Sequence, residues 1–380
     1  MNQTAVAGRP GALSSTQMQQ QLSAFPGYRS SDEAAAVKLS REASALWGGK
    51  LTPMMASADT KGRFSGAALS CPATACTGSI EFSAGARSHA WRNPAAIENL
   101  VCVDGSVEVA FGPKLADSVV LGRWDMISIP QGVKHAVRVP AEAPARLVAV
   151  LSIAPTGSYE AAFERAAASG LGEAALASLG VRFDDAEGEA VDPAVIAGRI
   201  TRFATLVPYK KDLNRTGGLP PEATMRLSAG SVFPLIVPEG HIGRSRTAPM
   251  YGNQGLYISI AECTAGDDGP PPHAHSDTQE SFYVLDGSFD ICTGFDNESM
   301  VAARPNDLFA VPNKVMRTFR NTSGKPARLL VIIQGPDRMQ DTVSFSRSIG
   351  EEFKTRFGED IIGKYADIRM TFDAEERLGA

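Results

Sequence analysis

The stretch PPPHAHSDTQESFYVLDG, residues 270–287, decides how the chain is read. Two histidines, His273 and His275, flank a single alanine; Glu280 and then Gly287 follow. In an extended strand residues i and i+2 share a face, so the two imidazoles project together. Ser276 to Gln279 can make a turn, and Glu280 then opens the next strand with its carboxylate folded back beside the rings. Two neutral imidazoles and one carboxylate suit a divalent first-row metal. Three such ligands on one side leave the other positions open, as in non-haem iron oxygenases. The competing reading is a solvated rim that holds no ion.

The same local pattern occurs twice. YVLDGSFDICTG (283–294) repeats VCVDGSVEVAFG (101–112), and NDLFAVPNKVMRTFRN (306–321) repeats WDMISIPQGVKHAVRV (124–139). The copies are offset by about 180 residues, far more than a solenoid period. In both regions short β-rich runs are punctuated by Gly, Pro, Asp and Asn, which predicts antiparallel sandwiches or barrels. The expected organisation is an N-terminal, partly helical extension over 1–64, a β domain over 65–156 and a helical linker over 157–240. A second β domain follows over 241–340, then a partly helical tail over 341–380. Residues 1–28 read as a flexible polar segment. Ser30 with Glu33 reads as a capping box for a helix ending at Gly48. The runs SYEAAFERAAASG and DPAVIAGRITRFATLV read as linker helices, the second opened by Asp192 and Pro193.

The residues just quoted resemble the motifs of the cupin superfamily. His273, His275, Glu280 and Gly287 fit its first motif, and Pro312 and Asn321 fit its second. In that second motif Asn306 and Lys314 replace two glycines, and Arg317 replaces the histidine that would be the fourth ligand. In the first copy the pattern reverses. Pro130, Gly132 and His135 fit the second motif, and Glu98 and Gly105 keep the spacing of the first. Trp91 and Asn93 stand at the histidine positions, and Trp124 stands at a glycine position. The resemblance implies a mainly β fold of two double-stranded β-helix (jelly-roll) barrels joined by a helical linker.

It also implies a metal at His273, His275 and Glu280, with Fe(II) first and Mn, Ni or Zn as alternatives. Similarity to ring-cleaving bicupins implies a dioxygenase of small, aromatic, carboxylate-bearing molecules. Those enzymes usually carry their metal in the N-terminal barrel on three histidines, and this chain does neither. Arg317 cannot ligate a metal, because its guanidinium keeps its proton. Buried, it needs an anion: Glu280, or the carboxylate of a substrate. Phe282 and Phe319 share the faces of Glu280 and Arg317 and are candidates to line a pocket. His135, Glu98, His89 and Asn93 form a weaker second candidate site. The alternatives to a dioxygenase are a small-molecule-binding or sensing bicupin without catalysis, and a metal-dependent isomerase or decarboxylase.

Composition narrows the partners. The net charge of −5 argues against nucleic acid, whose phosphates want basic surface. No apolar run reaches membrane-spanning length, and the N-terminus lacks the apolar core of a signal peptide, so a cytoplasmic protein is expected. The five cysteines include no pair two residues apart, which predicts reduced, buried thiols rather than a zinc knuckle. A homo-oligomer, dimer or higher, is expected for a bicupin.

Overall fold

The computed structural model describes residues 10–25, 36–57, 60–71, 75–153, 158–168, 171, 176–177, 179–208, 218–241, 248–252, 255–335 and 341–380. The chain divides into two units: Ser30–Leu206, and Val207–Ala380 together with Met1–Arg29. Each is built on two mostly antiparallel sheets, each with one parallel pair at an edge, around its own apolar core.

In the N-terminal unit one sheet runs Ile200–Thr201, Met126–Ile129, Ala96–Asp104, Ala145–Ile153, Ala75–Phe82, Lys50–Ala56, Leu69–Ser70. The other runs Val181–Phe183, Ala161–Phe163, Trp91–Arg92, His135–Arg138, Val107–Phe111, Asp117–Leu121. In the C-terminal unit the first sheet runs Leu22–Ser23, Leu308–Val311, Gln279–Asp286, Ala327–Gln334, Leu256–Cys263, Ser231–Pro238, Met250–Gly252. The second runs Met370–Thr371, Val343–Phe345, His273–His275, Arg317–Asn321, Phe289–Thr293, Ser299–Ala303. The two orders agree strand for strand. Registers agree too: Ile129 faces Glu98 as Val311 faces Glu280, and His135 faces Trp91 as Arg317 faces His273. The duplication therefore spans nearly the whole chain rather than the two β regions alone.

Turn chemistry explains which motif residues persist. Gly105 and Gly287 have φ of +69° and +76°, and a Cβ on either would lie 2.4 Å from Pro144 O or Ala327 Cβ. Where the motif has lost glycine, the backbone has not changed its mind: Trp124, Asn306 and Lys314 keep φ of +70°, +74° and +61°. Such positions cost roughly 1 kcal/mol or more for a residue with a Cβ. The Trp124 ring is held by Phe203, edge-on at 5.0 Å, and by the Arg123 guanidinium at 4.7 Å.

Several expected boundaries move. The N-terminal barrel already includes Lys50–Ala56, upstream of residue 65. The segment 157–240 is not a helical linker throughout. Ala161–Phe163 is a strand, although its alanine-rich run has helical propensity, because the edges of Trp91–Arg92 and Val181–Phe183 offer it ladder hydrogen bonds. Tertiary pairing overrides propensity there. Asp192 does cap the helix Pro193–Ala197, through a bond from Ala194 N at 2.8 Å, but that helix ends after five residues and the chain returns to strand. Ser231–Pro238 belongs to the C-terminal barrel. The tail is helical over Arg347–Phe357, Ile361–Ala366 and Ala374–Leu378, with Phe353, Ile361 and Tyr365 in a small core shared with Leu219, Ala223 and Leu227. Ser30 and Glu33 lie outside the described residues, and the helix is described from Ala36 to Trp47.

The N-terminal segment departs most from expectation. Residues 10–25 are ordered: Ser14 and Gln17 form a capping box on the helix Ser15–Gln20, and Leu22–Ser23 pairs with Leu308–Val311. This helix-and-strand strap binds the C-terminal barrel, with Leu13 and Met18 in its core. Its counterpart, Pro193–Ala197 with Ile200–Thr201, binds Met126–Ile129 of the N-terminal barrel. Each strap thus precedes one barrel in sequence and belongs to the other.

Candidate metal centre

The strand His273–His275 and the start of Gln279–Asp286 bring three side chains together. One ligand atom each from His273, His275 and Glu280 lies within 4.8 Å of the other two, and all three residues are buried. Glu280 Oε2 is 3.7 Å from His273 Nε2 and 3.6 Å from His275 Nε2. Among the described residues this is the one such cluster of histidine, cysteine or acidic ligands.

Hydrogen bonds at the far side of each ring fix which nitrogen faces the cluster. His273 Nδ1 is 3.0 Å from Pro271 O, and His275 Nδ1 is 2.6 Å from Asp341 Oδ2. A carbonyl and a carboxylate only accept, so in the neutral rings both protons sit on Nδ1. Both Nε2 lone pairs then point at a carboxylate oxygen that has no hydrogen-bond partner of its own. Three acceptors meeting in a buried space favour a cation among them, and the Arg317 guanidinium approaches from one side. The donor set and its outer hydrogen bonds are those of a divalent metal site, so the residues fit the ion that the motif implies.

Protonation follows the same logic. Burial pushes the Glu280 carboxyl up, but His273, the charges of His275 and Arg317 outweigh it and bring the group down to about 2. Burial holds the His273 imidazole below its ordinary value, aided by Arg317 and His275 against the pull of Glu280. Burial would likewise raise Asp341; His275, Thr278 and the Asp277 amide bring it to about 2. Two charged acids and a neutral His273 at neutral pH are the forms that a metal centre uses.

Arg317 points inward, fully buried, as its frame predicts. Its Nε lies 3.6 Å from Glu280 Oε2, an ion pair too long for a hydrogen bond, and that nitrogen has no partner. Its Nη1 and Nη2 make long contacts to His273 O (3.4 Å) and Pro312 O (3.3 Å). Phe282 and Phe319 are core residues, packed edge-to-face at 5.2 Å, with Phe319 also against Phe289.

The second candidate site is closed by its own hydrogen bonds. Glu98 accepts from Arg63 on one oxygen. On the other it accepts from Trp91 Nε1 (3.0 Å) and Asn93 Nδ2 (2.5 Å), with His135 Nε2 3.1 Å away. Burial is outweighed by Arg63 and His135, and the carboxyl stays well below the usual range. His135 and Asn93 do meet Glu98, but His89 does not: it is exposed, outside the barrel interior. The guanidinium of Arg63 supplies the cation here, with the Trp47, Phe64 and Trp91 rings 5.2–5.6 Å from it.

Arg63, Asp341 and Phe345 escape a motif reading. Phe345 stacks on His273 at 5.4 Å, from the strand Val343–Phe345 that pairs with His273–His275. The available signal was the repeat itself, since Phe163 stands against Trp91 at the same register. All five cysteines are buried thiols, as expected.

Residues 260–333 match the Cupin domain family. The match falls in the C-terminal barrel, whose strand order recurs in the N-terminal unit. Solved structures with a similar fold include an oxalate decarboxylase variant from Bacillus subtilis, 14% identical, TM-score 0.44, covering 75% of each chain. They also include a vicilin from Capsicum annuum, 11% identical, TM-score 0.46, over 80% of this chain and 86% of that one. AerE from Microcystis aeruginosa is 12% identical, TM-score 0.42, over 68% and 87%. No curated protein matches the sequence. Among the described residues no helix is long and apolar enough to cross a membrane.

Proposed function

We propose that the chain is a metal-dependent cupin enzyme, a non-haem Fe(II) dioxygenase of small, carboxylate-bearing, aromatic molecules, working in the C-terminal barrel. The observation that carries this reading is the meeting of His273 Nε2, His275 Nε2 and the unpartnered Glu280 Oε2. Bound there, Fe(II) would supply open coordination positions for substrate and dioxygen. His273, His275 and ionised Glu280 are the ligands. Arg317, with a free Nε–H beside them, holds the substrate carboxylate and fixes its orientation. Phe282 and Phe319 close the apolar side.

The test is the metal content of protein purified without a metal-binding tag, beside His273→Ala. About one iron or manganese per chain, lost in the variant, with oxygen uptake on hydroxylated aromatic acids, is the expected result. Turnover without oxygen would point to an isomerase or decarboxylase. Arg317→Gln should keep the metal and raise KM for the carboxylate roughly 10- to 100-fold, the loss of one charge-assisted bond. Unchanged KM would remove the arginine from the substrate's path.

One observation favours a second reading. The Arg317 guanidinium already lies 3.6 Å from Glu280, so the site contains a cation of its own. A protein that takes up no metal, even after anaerobic reconstitution with Fe(II), would be a binding or sensing bicupin with Arg317 paired to Glu280.

A further inference from the structure

We infer that Asp341 is a positioning residue of this centre: its carboxylate holds His275 in the tautomer and orientation that turn Nε2 toward Glu280. The inference rests on the metal-centre reading and adds to it a residue far from the motif.

Three hydrogen bonds fix the carboxylate. Oδ2 lies 2.6 Å from His275 Nδ1 and accepts from the Thr278 hydroxyl at 2.6 Å; Oδ1 accepts from the Asp277 amide at 2.8 Å. The Asp341 side chain is 6% exposed. The backbone beside it is also anchored, since Ser276 N donates to Thr342 O at 3.0 Å and His275 pairs with Val343. The acid is therefore held by the turn that joins the two ligand strands. A carboxylate so placed can only accept, so it keeps the His275 proton on Nδ1. It also makes the ring a stronger donor than a neutral partner would. His273 has only the Pro271 carbonyl in the equivalent role, and its ring is steadied by Phe345 instead.

The chain contains its own comparison. The N-terminal repeat lies 182 residues earlier, as Glu98 to Glu280 shows. There His275 becomes Asn93 and Asp341 becomes Tyr159, while Phe345 remains a phenylalanine, Phe163. Phe163 keeps its register against Trp91, so it serves packing in both barrels. The aspartate occurs only in the repeat that has the histidine. A purely structural brace for the turn would have no reason to follow the imidazole.

Asp341→Asn, Asp341→Ala and wild type would be titrated in metal-free form with Co(II), followed by visible absorption. The imidazole tautomers of the same metal-free samples would be read by nitrogen-15 NMR. With five histidines in the chain, selective labelling makes assignment tractable. The expected result is a roughly 10- to 100-fold loss of Co(II) affinity in Asp341→Asn, at least as much in Asp341→Ala, and unchanged melting of the metal-free protein. His275 should carry its proton on Nδ1 in wild type and shift toward Nε2–H in Asp341→Ala. Co(II) affinity equal to wild type, an unmoved tautomer, or loss of folding in Asp341→Asn would each overturn the role. If wild type itself takes up no Co(II), the metal-centre reading fails, and the tautomer alone decides whether Asp341 orients His275.

Discussion

Arg63→Met is expected to cost the N-terminal unit about 3–5 kcal/mol, the usual result of removing one partner from a buried ion pair. For a unit of this size that lowers Tm by on the order of 10 °C. Arg63 and Glu98 are both fully buried, and the Arg63 guanidinium donates directly to that carboxylate. Methionine fills much of the same volume among Trp47, Phe64 and Trp91, so the expected loss is electrostatic rather than a cavity. Glu98→Gln added to Arg63→Met should recover most of it, because an amide needs no counter-charge. Tryptophan fluorescence reads the unit selectively: Trp47, Trp91 and Trp124 are the three tryptophans of the chain, and all fall within 30–206. A single variant that melts like wild type, or a double variant no better than the single, would mean that Glu98 is held by Trp91, Asn93 and His135 without need of the arginine.

That pair also accounts for why the two barrels differ. Both keep the glutamate at the same register, and both bring a guanidinium to it. In the N-terminal barrel the guanidinium makes a direct hydrogen bond, and Trp91 and Asn93 donate to the other carboxylate oxygen. In the C-terminal barrel the guanidinium stops 3.6 Å short, and two imidazole lone pairs replace the tryptophan and asparagine donors. One arrangement is complete as it stands. The other leaves Glu280 Oε2 without a hydrogen bond.

The candidate ligands were legible because they are local. His273, His275 and Glu280 lie within one turn and two strands, where period-two geometry predicts their meeting without knowledge of the rest. The inward direction of Arg317 followed from the same frame. Arg63 and Asp341 were not legible, because they reach their partners across 35 and 66 residues of chain, through contacts that only the closed barrel creates. Helix propensity misread Ala161–Phe163 for a related reason: the deciding hydrogen bonds come from a strand some 70 residues away in sequence. The polar composition of residues 1–28 suggested flexibility, and Leu13 and Met18 give little local sign that a distant core receives them.

Deleting residues 1–25 should destabilise the C-terminal barrel and leave the N-terminal one intact, although the segment is joined in sequence to the latter. Leu13 and Met18 are buried in the C-terminal core, where each contributes roughly 1.5–3 kcal/mol. The backbone adds bonds from Met316 N to Gly11 O (2.8 Å), Ala310 N to Gln21 O (3.0 Å) and Leu13 N to Thr293 Oγ1 (3.2 Å). Set against these is the entropy of ordering the strap, so a net loss of about 3 kcal/mol is expected. The deletion also uncovers the edge strand Leu308–Val311, whose side chains are buried, and raises the tendency to aggregate. Thr293 faces Arg317 across the sheet, so the metal centre should feel the loss as weaker retention of metal on heating. The readout is a split one. Metal release and far-ultraviolet circular dichroism should shift to lower temperature, while the tryptophan transition stays in place. A tryptophan transition that moves instead would assign the strap to the N-terminal barrel and remove the reciprocal exchange of straps from the description of this fold.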